Sequence, residues 1–275
     1  MATKKAKSTA KKTTVKKPQS AKVQQTKFKT VLINTKKILA CRCESNKKMP
    51  SISSLIIEFI GTFLLITSVF AVQGQPLFVA FAIIGIILII AGTSGAHINP
   101  AVTIGAWVTR KICSACAVGY IIAQALGATA GFVTLSAFLD GAKDSAAAAY
   151  GSVPTMFHAA TLTTGKEWFI LFAELLGSFI IALGVSKALK SAKAIYAITY
   201  GFAVLIALII AGSVTSVFLT EANTTLTFLN PATAFAANAV SWNIWPIMIY
   251  VITPIVGGIA GFALNDLLVS NNDEK

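Results

Sequence analysis

Two Asn-Pro-Ala tripeptides carry the chemistry available to this chain. Asn99-Pro100-Ala101 stands inside GTSGAHINPAVTIGAW, and Asn230-Pro231-Ala232 inside LTFLNPATAFAANAV. Asn caps helices well, and Pro at the first helical position gives up only an N–H that would be orphaned anyway. Each tripeptide therefore opens a helix, and the apolar run behind it, about ten residues, is too short to cross a bilayer. Two short helices starting at membrane depth imply re-entrant segments that line a polar cavity. With each Asn carbonyl oxygen capping its helix, the amide NH2 is left to donate into that cavity. Two such donors, backed by two positive helix ends, favour a neutral hydrogen-bonding solute and repel cations.

Two carboxylates also lie inside apolar runs. Glu58 and Glu174 are costly at membrane depth, so each needs a role. One role is a proton or cation pathway. The other, which we favour, is to accept hydrogen bonds from the backbone of a re-entrant loop that has no water. Cys113-x-x-Cys116 has redox or metal spacing, but no His or second Cys pair accompanies it, so these residues are expected to be small residues at the start of a span. The sequence calls for no metal and no cofactor. It contains two histidines, His97 and His158, and no nucleophile–base set, so an enzyme is not expected.

The elements that must position these residues are membrane spans. Of 275 residues 55% are hydrophobic and 12% charged, and the mean hydropathy is +0.75. That is the composition of a polytopic membrane protein. The net charge of +13 is confined to one place: residues 1–50 hold fourteen Lys and Arg42 against Glu44. Met1 to about Ser20 is expected to be a disordered arm, drawn to anionic lipid, and no apolar stretch of a secretory signal follows its lysines. Its resemblance to basic histone-like tails makes nucleic-acid binding a minor alternative. Phe28, Val31, Leu32, Ile38 and Leu39 fit a basic amphipathic helix over 27–40, with Cys41 and Cys43 behind it as acylation candidates.

Six apolar spans are expected, over 52–73, 77–92, 113–139, 167–189, 194–217 and 245–268. Arg110, Lys111, Lys187, Lys190 and Lys193 fall on the side of the basic tail, so both termini are expected in the cytoplasm. The other side carries Lys143 and Lys166 among Asp140, Asp144, Glu167 and Glu221, with a glycosylation sequon at Asn223-Thr224-Thr225. On this topology all four cysteines face the cytoplasm or its boundary and stay reduced. Trp242, Trp245 and Tyr250 at the start of the sixth span are expected as an interfacial anchor.

The two halves repeat. EFIGTFLLITSVF from Glu58 matches ELLGSFIIALGVS from Glu174, and IIAG recurs at 89–92 and 209–212. AQALGATAGF from Ala123 matches TPIVGGIAGF from Thr253. Offsets grow from 116 to 131 along the chain, which places an insertion of about 11 residues in the loop before the second tripeptide. Three spans per half make the second half inverted relative to the first. Gly127-x-x-x-Gly131 and Gly257-x-x-x-Gly261 let the third and sixth spans approach closely. The division expected is a basic tail over 1–50, a channel domain over 51–268 with repeats at about 51–140 and 167–268, and a short tail over 269–275.

With both tripeptides, the inverted repeat and the E-x-x-G-[TS]-F pattern in hand, the chain resembles the aquaporin, or major intrinsic protein, family from about Ser51 to Leu268. The resemblance implies an all-α membrane protein of six transmembrane helices and two re-entrant half-helices, assembled as a homotetramer with one pore per subunit. It implies that His97, in SGAHINPA, is a lumen-wall or packing residue, and that Gln124, in AQALGA, braces the first loop. It also exposes a departure. Family members usually carry Arg three residues after the second Asn, where this chain has Thr233. The Asp that follows that Arg in glycerol-conducting members is here Ala234. Spacing matches the remaining constriction positions to Val79, Leu208 and Thr227, a set with neither the His and aromatic of water-selective members nor the two aromatics of glycerol channels.

The function expected is a passive channel for water and small uncharged solutes. One alternative is a channel mainly for another neutral solute (glycerol, urea or ammonia) with water incidental. Another is a non-conducting membrane scaffold, which would have no use for two polar loops at mid-membrane.

Overall fold

The computed structural model describes residues 49–142, 156–219 and 224–273. The tail readings, including the 27–40 helix and Cys41 and Cys43, lie outside the described residues. So do Lys143, Asp144, Glu221 and Asn223.

The first helix, α1 (Ile52–Ala71), starts at Ser51, whose hydroxyl accepts from the Ser54 N–H. A tight turn at Gln73 and Gly74, both at positive φ, returns the chain into α2 (Pro76–Ile90). An extended loop then reaches α3 (Pro100–Val108), the first half-helix. Next come α4 (Ser114–Ala142), α5 (Glu167–Ala188) and α6 (Lys193–Thr215). The second half-helix is α7 (Pro231–Ala236). The last span opens with α8 (Ile244–Ile247), widens into a π-turn over Met248–Ile252 and continues as α9 (Thr253–Asp273). Pro254 gives the widening its cause: it has no N–H and its ring crowds the preceding turn, so the ladder must readjust there.

Among the described residues five helical stretches are long and apolar enough to cross a membrane, and Pro76–Ile90 is a shorter apolar helix. The shorter one gives way at mid-depth to the loop before α3, as expected of the second span. α9 stays helical through Asp273, past Leu268, where hydropathy ends the span. One feature has no sequence signal: β1 (His158–Ala159) pairs in parallel with β2 (Thr224–Thr225), tying the α4–α5 connection to the inserted loop.

The glycine pairs define two close helix contacts. A Cβ on Gly131 would meet the Phe63 carbonyl and Ile66 of α1, and one on Gly261 the Phe179 carbonyl and Leu183 N–H of α5. The third span thus meets the first and the sixth meets the fourth, symmetry-related pairs rather than one contact between third and sixth. Small residues are needed because the facing atoms are backbone.

The bundle has a basic end and a mouth end. At the basic end the Lys111 Nζ lies 2.6 Å from the Asp266 carboxylate, joining the exit of α3 to α9. Trp242 is fully exposed at the mouth end, and Trp245 stacks edge-on against Trp168. Tyr250 departs from its expected role as an interfacial anchor. It is buried against Phe228, with ring centroids 5.4 Å apart, because it lies on the inward face of the helix.

Candidate functional site

The half-helices α3 and α7 meet at their N-termini in the middle of the bundle. Each Asn does two jobs there. The Asn99 Oδ1 accepts from the Ala101 N–H at 2.8 Å, and the Asn230 Oδ1 accepts from Ala232 at 3.0 Å. The Asn99 amide donates to the Leu229 carbonyl and the Asn230 amide to the Ile98 carbonyl, both at 3.0 Å. The two loops are therefore clasped to each other. This corrects the expectation of a wholly free NH2: one N–H of each amide is spent on the clasp. An amide nitrogen has two hydrogens, so one donor per Asn is left, and both residues border the central cavity.

Ile98 and Leu229, the residues before each Asn, sit at φ 43° and 57°. Left-handed backbone is strained for side chains that bulky and persists only where the surroundings impose it. Here the surroundings are the two buried carboxylates. Glu58 accepts from the His97 N–H at 3.0 Å and the Ile98 N–H at 2.9 Å. It also accepts from the Ser94 hydroxyl at 2.7 Å and the Gln124 amide at 2.9 Å. Glu174 accepts from the Phe228 N–H at 2.5 Å and from Leu229 at 3.0 Å. Each carboxylate thus holds the loop that carries the opposite-facing Asn clasp, and the first loop has the larger set of donors.

Gln124 also donates to the Thr103 hydroxyl, which in turn donates to the Asn99 carbonyl, both at 3.0 Å. Thr103 further lies 3.2 Å from the His97 Nδ1. The His97 ring is buried and packs edge-on against Tyr120. The ring does not border the mouth-end cavity.

The sequence reading missed several partners of this site. Gly61 and Gly177, three residues after each Glu, leave the space that Ile98 and Leu229 fill: an added Cβ would lie 2.7 Å from Ile98 and 2.5 Å from Leu229. The repeated E-x-x-G pattern is the signal that carried them, since both halves need an acceptor and a gap at the same height. Thr103, Tyr196 and Tyr200 were also missed, and they have no counterpart in the other half of the repeat to draw notice.

A cavity of about 360 Å³ opens at the mouth end and runs down to the Asn pair. Val79, Leu208, Thr227 and Thr233, matched by spacing to the constriction, all border it. Two of these four are apolar, two are threonines, and none is charged. No group of metal-ligating side chains occurs among the described residues. Cys113 and Cys116 have Sγ atoms 2.7 Å apart at the start of α4, by the basic end. A mercurial added from the mouth side of sealed vesicles is therefore expected to leave water flux nearly intact. Rapid, reversible block would contradict this placement of the cysteines.

Two re-entrant half-helices clasped at mid-bundle below an open vestibule define a membrane channel. The comparisons place it further. A family model described as "Major intrinsic protein" matches residues 73–264. Aquaporin AqpM of Methanothermobacter thermautotrophicus is 36% identical over 189 residues, covering 65% of this chain and 70% of that protein. Aquaporin PIP2-7 of Arabidopsis thaliana is 31% identical over 238 residues, covering 78% and 80%. Glycerol uptake facilitator protein-like 6 of Lactiplantibacillus plantarum is 28% identical over 216 residues, covering 74% and 91%. The X-ray structure of the aquaglyceroporin from Plasmodium falciparum matches with a TM-score of 0.61 at 21% identity, over 79% of this chain and 96% of that one, a likeness of fold. The chain belongs to the major intrinsic protein family. It is a passive membrane channel for water or other small neutral solutes, not an enzyme.

Proposed function

We propose that this channel passes uncharged solutes up to about the size of glycerol, with moderate water flux. The observation that carries the proposal is the ring at the mouth: Val79, Leu208, Thr227 and Thr233 border one cavity, and Thr233 stands where a guanidinium is usual. Arg at that position would occupy cross-section and offer fixed donors. Thr is shorter and neutral. A wider, more apolar ring admits larger solutes while raising the desolvation cost for water and urea alike. Thr225 and Thr227 keep some polar surface there, the Thr225 hydroxyl donating to the Thr227 carbonyl at 3.2 Å.

In this proposal Asn99 and Asn230 are the donors every solute must meet, and with the two helix ends they exclude cations. Pro100, Ala101, Pro231 and Ala232 shape the half-helix starts. Glu58, Glu174 and Gln124 hold the loops and do not conduct. Residues 51–268 form the pore of one subunit in a homotetramer, with both termini in the cytoplasm and the basic tail on anionic lipid rather than nucleic acid. Installing Arg by Thr233→Arg is expected to lower glycerol flux more than water flux in stopped-flow measurements on proteoliposomes. Wild-type protein that passes water but rejects glycerol, urea and methylamine would contradict the wide ring.

A further inference from the structure

Along α6 the cavity is bordered by one stripe of residues at four-residue intervals: Tyr200, Val204, Leu208 and Gly212, with Ser216 just beyond. Such positions lie above one another on a single helix face. The next member of the stripe toward the basic end is Tyr196. It is fully buried and does not border the cavity. The cavity therefore stops at the Tyr200 ring, beside the Asn clasp, although a solute must continue toward the basic end to cross.

Both tyrosines are latched. The Tyr200 hydroxyl donates to the His97 carbonyl at 2.7 Å, and the Tyr196 hydroxyl donates to the Gly95 carbonyl at 2.9 Å. Their rings pack on each other with centroids 6.0 Å apart. Gly95 and His97 belong to the extended loop before α3, whose carbonyls have no helix partners and must be met by some donor at membrane depth. The phenols are the donors to the Gly95 and His97 carbonyls, so a solute on this stretch meets those two acceptors already engaged.

We infer that Tyr200 and Tyr196 form the rate-setting barrier of the pathway, on the basic-end side of the Asn pair. The inference rests on the channel reading but not on the solute proposed above. To pass, a solute displaces each phenol and takes its place as donor to the loop carbonyls. Water, glycerol and urea can make that exchange. A solute of similar size with acceptors only leaves two buried carbonyls unmet, and is rejected here however wide the mouth ring is.

The test is stopped-flow osmotic flux of the full chain in proteoliposomes, comparing wild type with Tyr200→Phe, the double variant Tyr196→Phe/Tyr200→Phe, and Tyr200→Val. Phe keeps the ring and removes the latch. A net hydrogen bond of ~1 kcal/mol corresponds to about fivefold in rate, so Tyr200→Phe is expected to raise water and glycerol flux about fivefold and the double Phe variant, which loses two such bonds, up to about 25-fold. Tyr200→Val, which also removes the ring, is expected to raise both further. Wild-type flux in the Phe variants would overturn the inference, and the volume-preserving change keeps that result interpretable even where Val disrupts folding. The two proposals separate in one cross. With barriers in series, Thr233→Arg lowers glycerol flux by a larger factor in the Tyr200→Val background than in wild type. If the inner barrier is absent, the factor is the same in both. If the mouth reading is wrong, Thr233→Arg fails to favour water in either.

Discussion

Replacing Asn99 or Asn230 by Asp is expected to abolish selective conduction. The carboxylate keeps the oxygen that caps Ala101 or Ala232, so the half-helix still has its N-cap. What is lost is the nitrogen that donates to Leu229 or Ile98 across the clasp. A carboxylate oxygen would then face a carbonyl oxygen at hydrogen-bond distance, in a buried site where an uncompensated charge costs about 3–5 kcal/mol. The loops separate or the charge recruits a cation, and either outcome spoils a site tuned for neutral donors. Flux of water and glycerol is expected to fall at least about tenfold, which needs only ~1.4 kcal/mol on the barrier. Unchanged flux together with unchanged cation exclusion in both variants would remove the Asn pair from the centre of the account.

The second large effect concerns the carboxylates, and it is asymmetric. Glu58→Leu strands the N–H groups of His97 and Ile98, the Ser94 hydroxyl and the Gln124 amide. Glu174→Leu strands the N–H groups of Phe228 and Leu229. Each buried donor left unmet costs about 1–3 kcal/mol. Both changes also release a residue held in left-handed backbone, Ile98 in one case and Leu229 in the other. Both variants are expected to be destabilised by several kcal/mol, Glu58→Leu by roughly twice as much as Glu174→Leu. Thermal loss of the monodisperse peak in detergent, measured side by side, checks the order. Equal losses, or a proton-flux phenotype at normal stability, would return the carboxylates to a conduction role.

The parts of this site that were legible in the sequence are those that occur twice. The two tripeptides, the two buried Glu and the growing offset between halves fix spans, half-helices and inversion before any coordinates. Repetition turns a weak signal into a strong one because both loops face the same problem, backbone without water. What was illegible is what the two halves do not share. Glu58 gains Ser94 and Gln124 as donors; at the position matching Gln124 the second half has Pro254, which can donate nothing and instead widens the helix at Met248–Ile252. Tyr196 and Tyr200 look like ordinary aromatic residues in an apolar span, since only the fold shows that their hydroxyls meet a loop about a hundred residues earlier in the chain. Tyr250 was misplaced for a related reason: span position gives depth, but not which face of the helix is inward. The free amide expected of each Asn was half right. A single-chain reading has no means to show that each loop ends within reach of the other's side chain.

The central claim is a passive pathway for neutral solutes that excludes ions at a clasp between two half-helices. Purified protein in proteoliposomes, followed for osmotic volume change and for membrane current in one preparation, tests it most directly. The account expects water and glycerol flux above that of empty vesicles, driven by the gradient alone, with no accompanying current. Flux no greater than in empty vesicles, or a cation current that rises with it, would contradict it.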